Sequence, residues 1–327
     1  MKSILLFLMC LLLFSCTKTK NPSTMNHKIV IAHRGASGYL PEHTLEAKAM
    51  AYAMNADFLE QDLVLSKDNI PMVIHDIYLD DVTDVAKKYP TRKRNDNRFY
   101  VIDFTFDELK TLQVTERFDP KTGNQFYKNR FPIWKGNFKL HSLQEEIELI
   151  QGLNNSTGKN IGIYPEIKEP EFHKKEGKNL TEIVLKTLAD FGYKTKKDNC
   201  ILQCFDTKEL KRIRVELQSE LFLVLLTEFD QDVKNLVEIA SFADGIGPYY
   251  KQILSEKVDG KFTFTSLVTD AHKLNLKVHP YTFRADALDE FSSFEEMMQT
   301  LLINANIDGC FTDFPDLVIN FLKENQH

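Results

Sequence analysis

Four short signatures carry most of the side chains able to do chemistry: His33-Arg34-Gly35, Glu60-Gln61-Asp62, His75-Asp76 and Glu166-Ile167-Lys168. Each follows or ends a short apolar run of strand character. Glu60 and Asp62 stand two residues apart in DFLEQDLVL. On a strand such positions share a face, so two carboxylates project together from an otherwise apolar segment. Burying them is costly unless a cation compensates. Glu166, in IGIYPEIKEP, is a third carboxylate at a strand end, and Lys168 lies two residues on, on the same face. Three carboxylates without cysteine or a histidine cluster favour a hard divalent ion, Ca²⁺ or Mg²⁺, over zinc.

His33 and His75 each end an apolar run. Histidine exchanges protons near neutrality, so the two suit general acid and base roles. Arg34 offers a planar fork to a phosphate oxygen, and Lys168 a second point charge. Gly35 lets the loop adopt a positive φ or approach a ligand closely.

The elements that must position these residues alternate. Strands are expected at 28–32, 58–64, 71–75, 161–166, 200–204, 221–226, 243–246, 276–281 and 308–311. Amphipathic helices are expected at 42–55, 142–152, 178–192, 206–218, 231–241, 264–274, 294–305 and 315–324. Strand–helix alternation implies parallel pairing with helical crossovers. The count suits a closed (β/α)8 TIM barrel, whose C-terminal strand ends converge on one face. A doubly wound open sheet is the alternative, but the first loop lacks the glycine-rich dinucleotide turn. The rhythm breaks over about 80–140, a long polar stretch read as an insertion above the barrel with a short helix near 106–113. Its Arg92-Lys93-Arg94 cluster is read as a solvated charge run.

The 327 residues are 43% hydrophobic and 27% charged, ordinary globular values, with ample chain for a core. A net charge of −6 argues against a nucleic-acid binder. The start, MKSILLFLMCLLLFSC, reads as a signal peptide over 1–15, ending in a lipobox-like LFSC that marks Cys16 for lipidation. Residues 16–27 read as a polar tether to a catalytic domain spanning 28–327. Thr17 after the cysteine points to an exported lipoprotein of the outer membrane, on its periplasmic side or at the cell surface. Of five cysteines, Cys200, Cys204 and Cys310 remain in the domain and are read as small buried hydrophobes. A straight strand holds Cys200 and Cys204 about 13 Å apart, too far for a disulfide.

HRGASGYLPEHTLEAKAMA, LEQDLVLSKDNIPMVIHD, GIYPEIKEPEFH, LQCFD, ADGIGPYY, VHPYTFR and DGCFTDFP follow one another in the order found in the glycerophosphodiester phosphodiesterases. The chain resembles that family, most of all its bacterial periplasmic type, from about Val30 to Pro315. The resemblance implies a TIM barrel with an inserted segment and hydrolysis of glycerophosphodiesters such as glycerophosphocholine and glycerophosphoethanolamine. It implies Glu60, Asp62 and Glu166 as ligands of one divalent ion, usually Ca²⁺, with Mg²⁺ the alternative. His33 and His75 become the acid–base pair, and Arg34 and Lys168 phosphate contacts. Glu42, in P-E-H-T, corresponds to a family glutamate that supports the site by holding a histidine. His43 stands where many members have asparagine. Gln203, Phe205 and Tyr281, at later strand ends, line the glycerol pocket. The rival functions are a phospholipase D- or C-like lipid phosphodiesterase on the same barrel, and a surface lipoprotein with a protein-binding role.

Overall fold

The structure, a computed structural model, describes residues 27–325. The expected signal peptide, the lipidation at Cys16 and the tether up to residue 26 lie outside the described residues. The strands are β1 (Ile29–Ala32), β2 (Phe58–Leu65), β3 (Pro71–Val73), β4 (Gly162–Ile167), β5 (Ile201–Cys204), β6 (Phe222–Thr227), β7 (Gly245–Pro248), β8 (Leu254–Val258), β9 (Lys261–Phe264), β10 (Lys277–Val278) and β11 (Gly309–Thr312). Eight of them run parallel in the order β10-β7-β6-β5-β4-β2-β1-β11. Backbone bonds across the seam join the two ends: Asp308 N–H to Val278 O at 3.0 Å, Phe311 N–H to Pro280 O at 3.0 Å and Phe283 N–H to Phe311 O at 2.8 Å. The fold is the expected (β/α)8 barrel.

Helices cover the outside because their apolar residues recur at helical spacing. The helix Leu143–Thr157 is typical: Leu143, Ile147 and Ile150 face the outer barrel wall, a capping box of Ser142 and Glu145 starts it, and Gly158 at φ 71° ends it. Inside the barrel the period is two. Ile31, Phe58, Tyr164, Ile201, Val224 and Phe311 form the interior packing layer. The next inward positions along the same strands are His33, Glu60, Glu166, Gln203, Leu226 and Asp313. The site therefore sits directly on a packed apolar floor.

Four expectations are corrected. The 71–75 segment is not a barrel strand. β2 overshoots the rim, turns, and β3 descends antiparallel to it, pairing Leu63 with Val73; Ile74 N–H then bonds Asp62 O at 2.9 Å. That descent carries His75 back to the level of the carboxylates. The helix expected at 42–55 begins at Leu45, because the Thr44 side chain caps it by accepting from Ala47 N–H at 3.2 Å. Glu42 and His43 are thus loop residues. The β8–β9 hairpin was not anticipated; its Asp259-Gly260 turn, with φ of 50° and 77°, is the signal that marks it. Finally, Arg92 and Arg94 are not simply solvated. Arg92 pairs with Glu108 at 2.7 Å and lies over the Phe104 ring, while Arg94 joins Asp103 at 2.8 Å to Glu176 at 2.6 Å.

The inserted region has an apolar core of its own, in which Leu79, Val82, Val85, Phe99, Phe104, Leu109 and Val114 pack with Val64, Met72 and Ile74 of the β2–β3 hairpin. Its short helix spans Phe106–Thr111. Cys200, Cys204 and Cys310 are free and buried. Among the described residues no helix is long and apolar enough to cross a membrane.

Candidate active site

The loop after β1 turns sharply under the barrel mouth. Arg34 and His43 both hold left-handed backbones, at φ 57° and 55°, conformations that cost a non-glycine residue roughly 1–3 kcal/mol and cluster at functional sites. Gly35, at φ 88°, cannot be replaced: a Cβ there would stand 2.8 Å from the Ala47 carbonyl carbon. The turn aims the Arg34 backbone N–H at Glu60 Oε2, 2.6 Å away.

Glu60, Asp62, Glu166 and Lys168 line one cavity of about 180 Å³ with His33, Arg34 and His75. Register brings the carboxylates together, since Asp62 pairs across the strands with Glu166. Lys168 Nζ lies 3.0 Å from Glu166 Oε1 and 3.7 Å from Asp62 Oδ1. Burial and the neighbouring Asp62 push Glu60 well above the usual carboxylate range. Glu166 is raised to about 8, by burial above all and by Asp62, against the pull of Lys168. Asp62 Oδ1 is buried without a hydrogen-bond partner. An all-oxygen cluster too crowded to ionise fully, with one oxygen unpartnered, fits a hard divalent cation.

Among the described residues, the group of three possible ligands with atoms within 4.8 Å of one another is His43, Glu60 and Asp62; Glu166, expected as the third ligand, is not part of it. His43 Nε2 already bonds Asp62 Oδ2 at 2.7 Å. That contact makes His43 an orienting neighbour of the carboxylate. The loop histidine was noticed in the sequence only as a substitution.

The two catalytic candidates have matching surroundings. His33 Nδ1 bonds Asp313 Oδ1 at 2.6 Å, and Asp313 Oδ2 accepts from Arg130 Nη2 at 2.6 Å and Arg284 Nε at 2.9 Å. His75 Nδ1 bonds Asp76 Oδ1 at 2.8 Å, and Asp76 Oδ2 accepts from Arg117 Nη1 at 2.7 Å. Each aspartate fixes the proton on Nδ1 and leaves Nε2 to act. Desolvation and the Arg34 cation lower His33 to about 4. Desolvation with Arg34 and Lys168 does the same to His75. Both imidazoles are therefore uncharged at neutral pH.

Among the described residues Glu42 bonds no histidine, contrary to expectation. Its carboxylate accepts from Arg34 Nη1 at 2.9 Å and from Arg117 Nη2 at 2.6 Å and Nε at 3.1 Å. It fixes the Arg34 fork and links the two sides of the cleft. Gln203, Phe205 and Tyr281 all line the same cavity. Gln203 is 1% exposed, yet among the described residues neither its amide nitrogen nor its oxygen has a partner. Tyr281 Oη donates to Thr227 O at 3.0 Å, and the Phe205 ring stands edge-on to it at 5.8 Å.

Sequence reasoning assigned no role to Asp313, Arg117, Arg130 or Arg284. Asp313 and Arg284 lie in the motifs TDFP and YTFR and were legible as strand-end residues. Arg117 and Arg130 lie in the insertion, where no period flags them.

Comparison with known proteins gives a consistent picture. Residues 33–317 match the Glycerophosphoryl diester phosphodiesterase family. A glycerophosphodiester phosphodiesterase of Haemophilus influenzae is 45% identical, over 93% of this chain and 92% of its own. One from Treponema pallidum is 37% identical, over 91% of this chain and 92% of its own. A solved Oleispira antarctica phosphodiesterase, in complex with the product sn-glycerol-3-phosphate, superposes with a TM-score of 0.63 at 20% identity, covering 90% of this chain and 96% of that one.

Proposed function

Because the chain belongs to the glycerophosphoryl diester phosphodiesterase family, we propose that it hydrolyses deacylated phospholipids, glycerophosphocholine and glycerophosphoethanolamine among them, to sn-glycerol 3-phosphate and the free alcohol. The observation that carries this reading is the pairing of two aspartate-held histidines with three carboxylates in one cleft. The Oleispira antarctica phosphodiesterase, which holds sn-glycerol-3-phosphate, supports the product.

Glu60, Asp62 and Glu166 would hold one divalent ion, Ca²⁺ first, with His43 seating Asp62. When bound, such an ion neutralises charge developing on the phosphate and lowers the pKa of a nearby hydroxyl or water. His33, neutral and with Nε2 unprotonated, removes the proton of the nucleophile, either the glycerol 2-hydroxyl or water. His75, with its pKa raised by the anionic diester bound beside it, carries the proton that the leaving alkoxide takes as its bond to phosphorus breaks. Arg34, held in place by Glu42, and Lys168 stabilise the charge on the crowded phosphorus oxygens. Attack by the 2-hydroxyl gives a cyclic phosphate that water then opens; attack by water gives the product directly. The leader at the N-terminus supports a place for the enzyme on the outer membrane, anchored by lipid on Cys16.

The test is release of sn-glycerol 3-phosphate from glycerophosphocholine by chelator-stripped protein, with and without added Ca²⁺ or Mg²⁺. Release restored by metal is the expected result; silence with every ion, from folded protein, would sink the reading. A normal rate on the 2-deoxyglycerol analogue would assign the attack to water.

A further inference from the structure

The cleft has two lobes. One is the barrel cavity already described. The other, of about 270 Å³, is walled by the insertion through Phe126, Tyr127 and Arg130. His33, Arg34, His75 and Arg284 line both. A phosphodiester gripped by those shared residues must send its two ester arms to different sides of phosphorus. Resting on the phosphodiesterase reading, we infer that the insertion-walled lobe is the subsite for the leaving alcohol, and that Phe126 is the ring an amino alcohol packs against.

The lobes differ in what they ask of an occupant. The barrel lobe holds the buried Gln203 amide with donor and acceptor both unpartnered. Buried polar groups left so are costly, and the hydroxyls of a glycerol arm supply both partners. In the insertion lobe the buried polar atom left without a partner among the described residues is Arg34 Nε, which belongs to the phosphate position shared by both lobes. Glu42, Arg117, Arg130 and Asp313 satisfy one another or their neighbours, and Ser37 Oγ donates to His33 O at 2.8 Å. The face of Tyr127 is covered by the Arg130 guanidinium, 3.7 Å from the ring centroid. What remains is Phe126, 60% exposed beside the catalytic residues. An alcohol bearing a quaternary ammonium has no N–H to donate and is held by an aromatic face. Such an arm fits this lobe and would leave the Gln203 amide unsatisfied in the other.

The product sn-glycerol 3-phosphate fills the phosphate position and the barrel lobe but never the second lobe. This separates the subsites experimentally. In the full chain, Phe126→Ala should raise KM for glycerophosphocholine by roughly three- to tenfold, the scale of a partly exposed cation–π contact. It should leave the inhibition constant of sn-glycerol 3-phosphate unchanged. Gln203→Leu should weaken substrate and product together. If Phe126→Ala moves neither constant, or moves both alike, the alcohol does not lie on that ring. If the unaltered enzyme neither cleaves glycerophosphocholine nor is inhibited by sn-glycerol 3-phosphate, the phosphodiesterase reading itself fails and this inference falls with it.

Discussion

On the barrel, each chemical side chain stands two or four residues beyond an apolar one on the same strand face: Phe58 before Glu60 and Asp62, Tyr164 before Glu166, Ile201 before Gln203. In the insertion, Arg117 and Arg130 stand in stretches with no period at all. Yet they hold the aspartates behind both histidines, at 2.7 and 2.6 Å. The barrel thus places groups that meet substrate, and its repetitive geometry fixes where they point. The insertion's arginines hold those groups, and only its tertiary packing decides their reach. Arg130 also bonds Asp286 at 2.8 Å and Ser37 O at 3.3 Å, tying the insertion to loops at opposite ends of the chain.

If that division is right, damage on the barrel side must be the more severe. His33→Ala and His75→Ala should each lower kcat by about 10²–10⁴, with Ca²⁺ affinity little changed when followed by calorimetry. Glu60→Ala should abolish Ca²⁺ binding and activity while circular dichroism still reports a folded barrel. A loss below tenfold for either histidine would remove it from the acid–base pair.

On the insertion side, Arg117→Met and Arg130→Met should each lower kcat by about 10–100-fold, the usual cost of losing a partner that orients a reacting group. KM should stay within about threefold, since neither guanidinium is free to meet substrate, and Ca²⁺ affinity should hold. A purely structural arginine would give a different pattern: a lower melting temperature with kcat of the surviving folded protein intact. Equal losses in kcat for arginines and histidines would erase the distinction between the two regions.

The same contrast explains what was legible in the sequence. Strand periodicity made the fold and the inward residues readable, because period two follows from backbone geometry alone. His75 was found for a mistaken reason. It ends an apolar run, but that run descends from the rim as β3 and is not a barrel strand. Glu42 is legible but with the wrong partner, and His43 without one, because left-handed turns at Arg34 and His43 redirect the chain in a way no propensity encodes. Arg117 and Arg130 could not be read, since their partners are 41 and 183 residues distant.

The smallest effect sharpens the comparison from within the insertion. Glu116, beside Arg117, is buried, and its Oε2 has no partner. Burial and the nearby Glu42 charge lift its pKa from the ordinary 4.5 to about 8. Between those two values the folded protein holds a proton that the unfolded chain has released. Folding is therefore favoured most below the lower value, and this contribution is lost as pH rises to about 8. Glu116→Gln keeps the shape and removes the titration. Its melting temperature should match the parent's near pH 4 and exceed it by roughly 2–6 °C above pH 8. Thermal unfolding across that range at fixed ionic strength checks it. Among the described residues no histidine bonds this side chain, so kcat should not follow the stability. A variant that gained stability and lost turnover together would mean that the strain at Glu116 helps hold Arg117 on Asp76, and that the insertion's packing and its grip on His75 are one device.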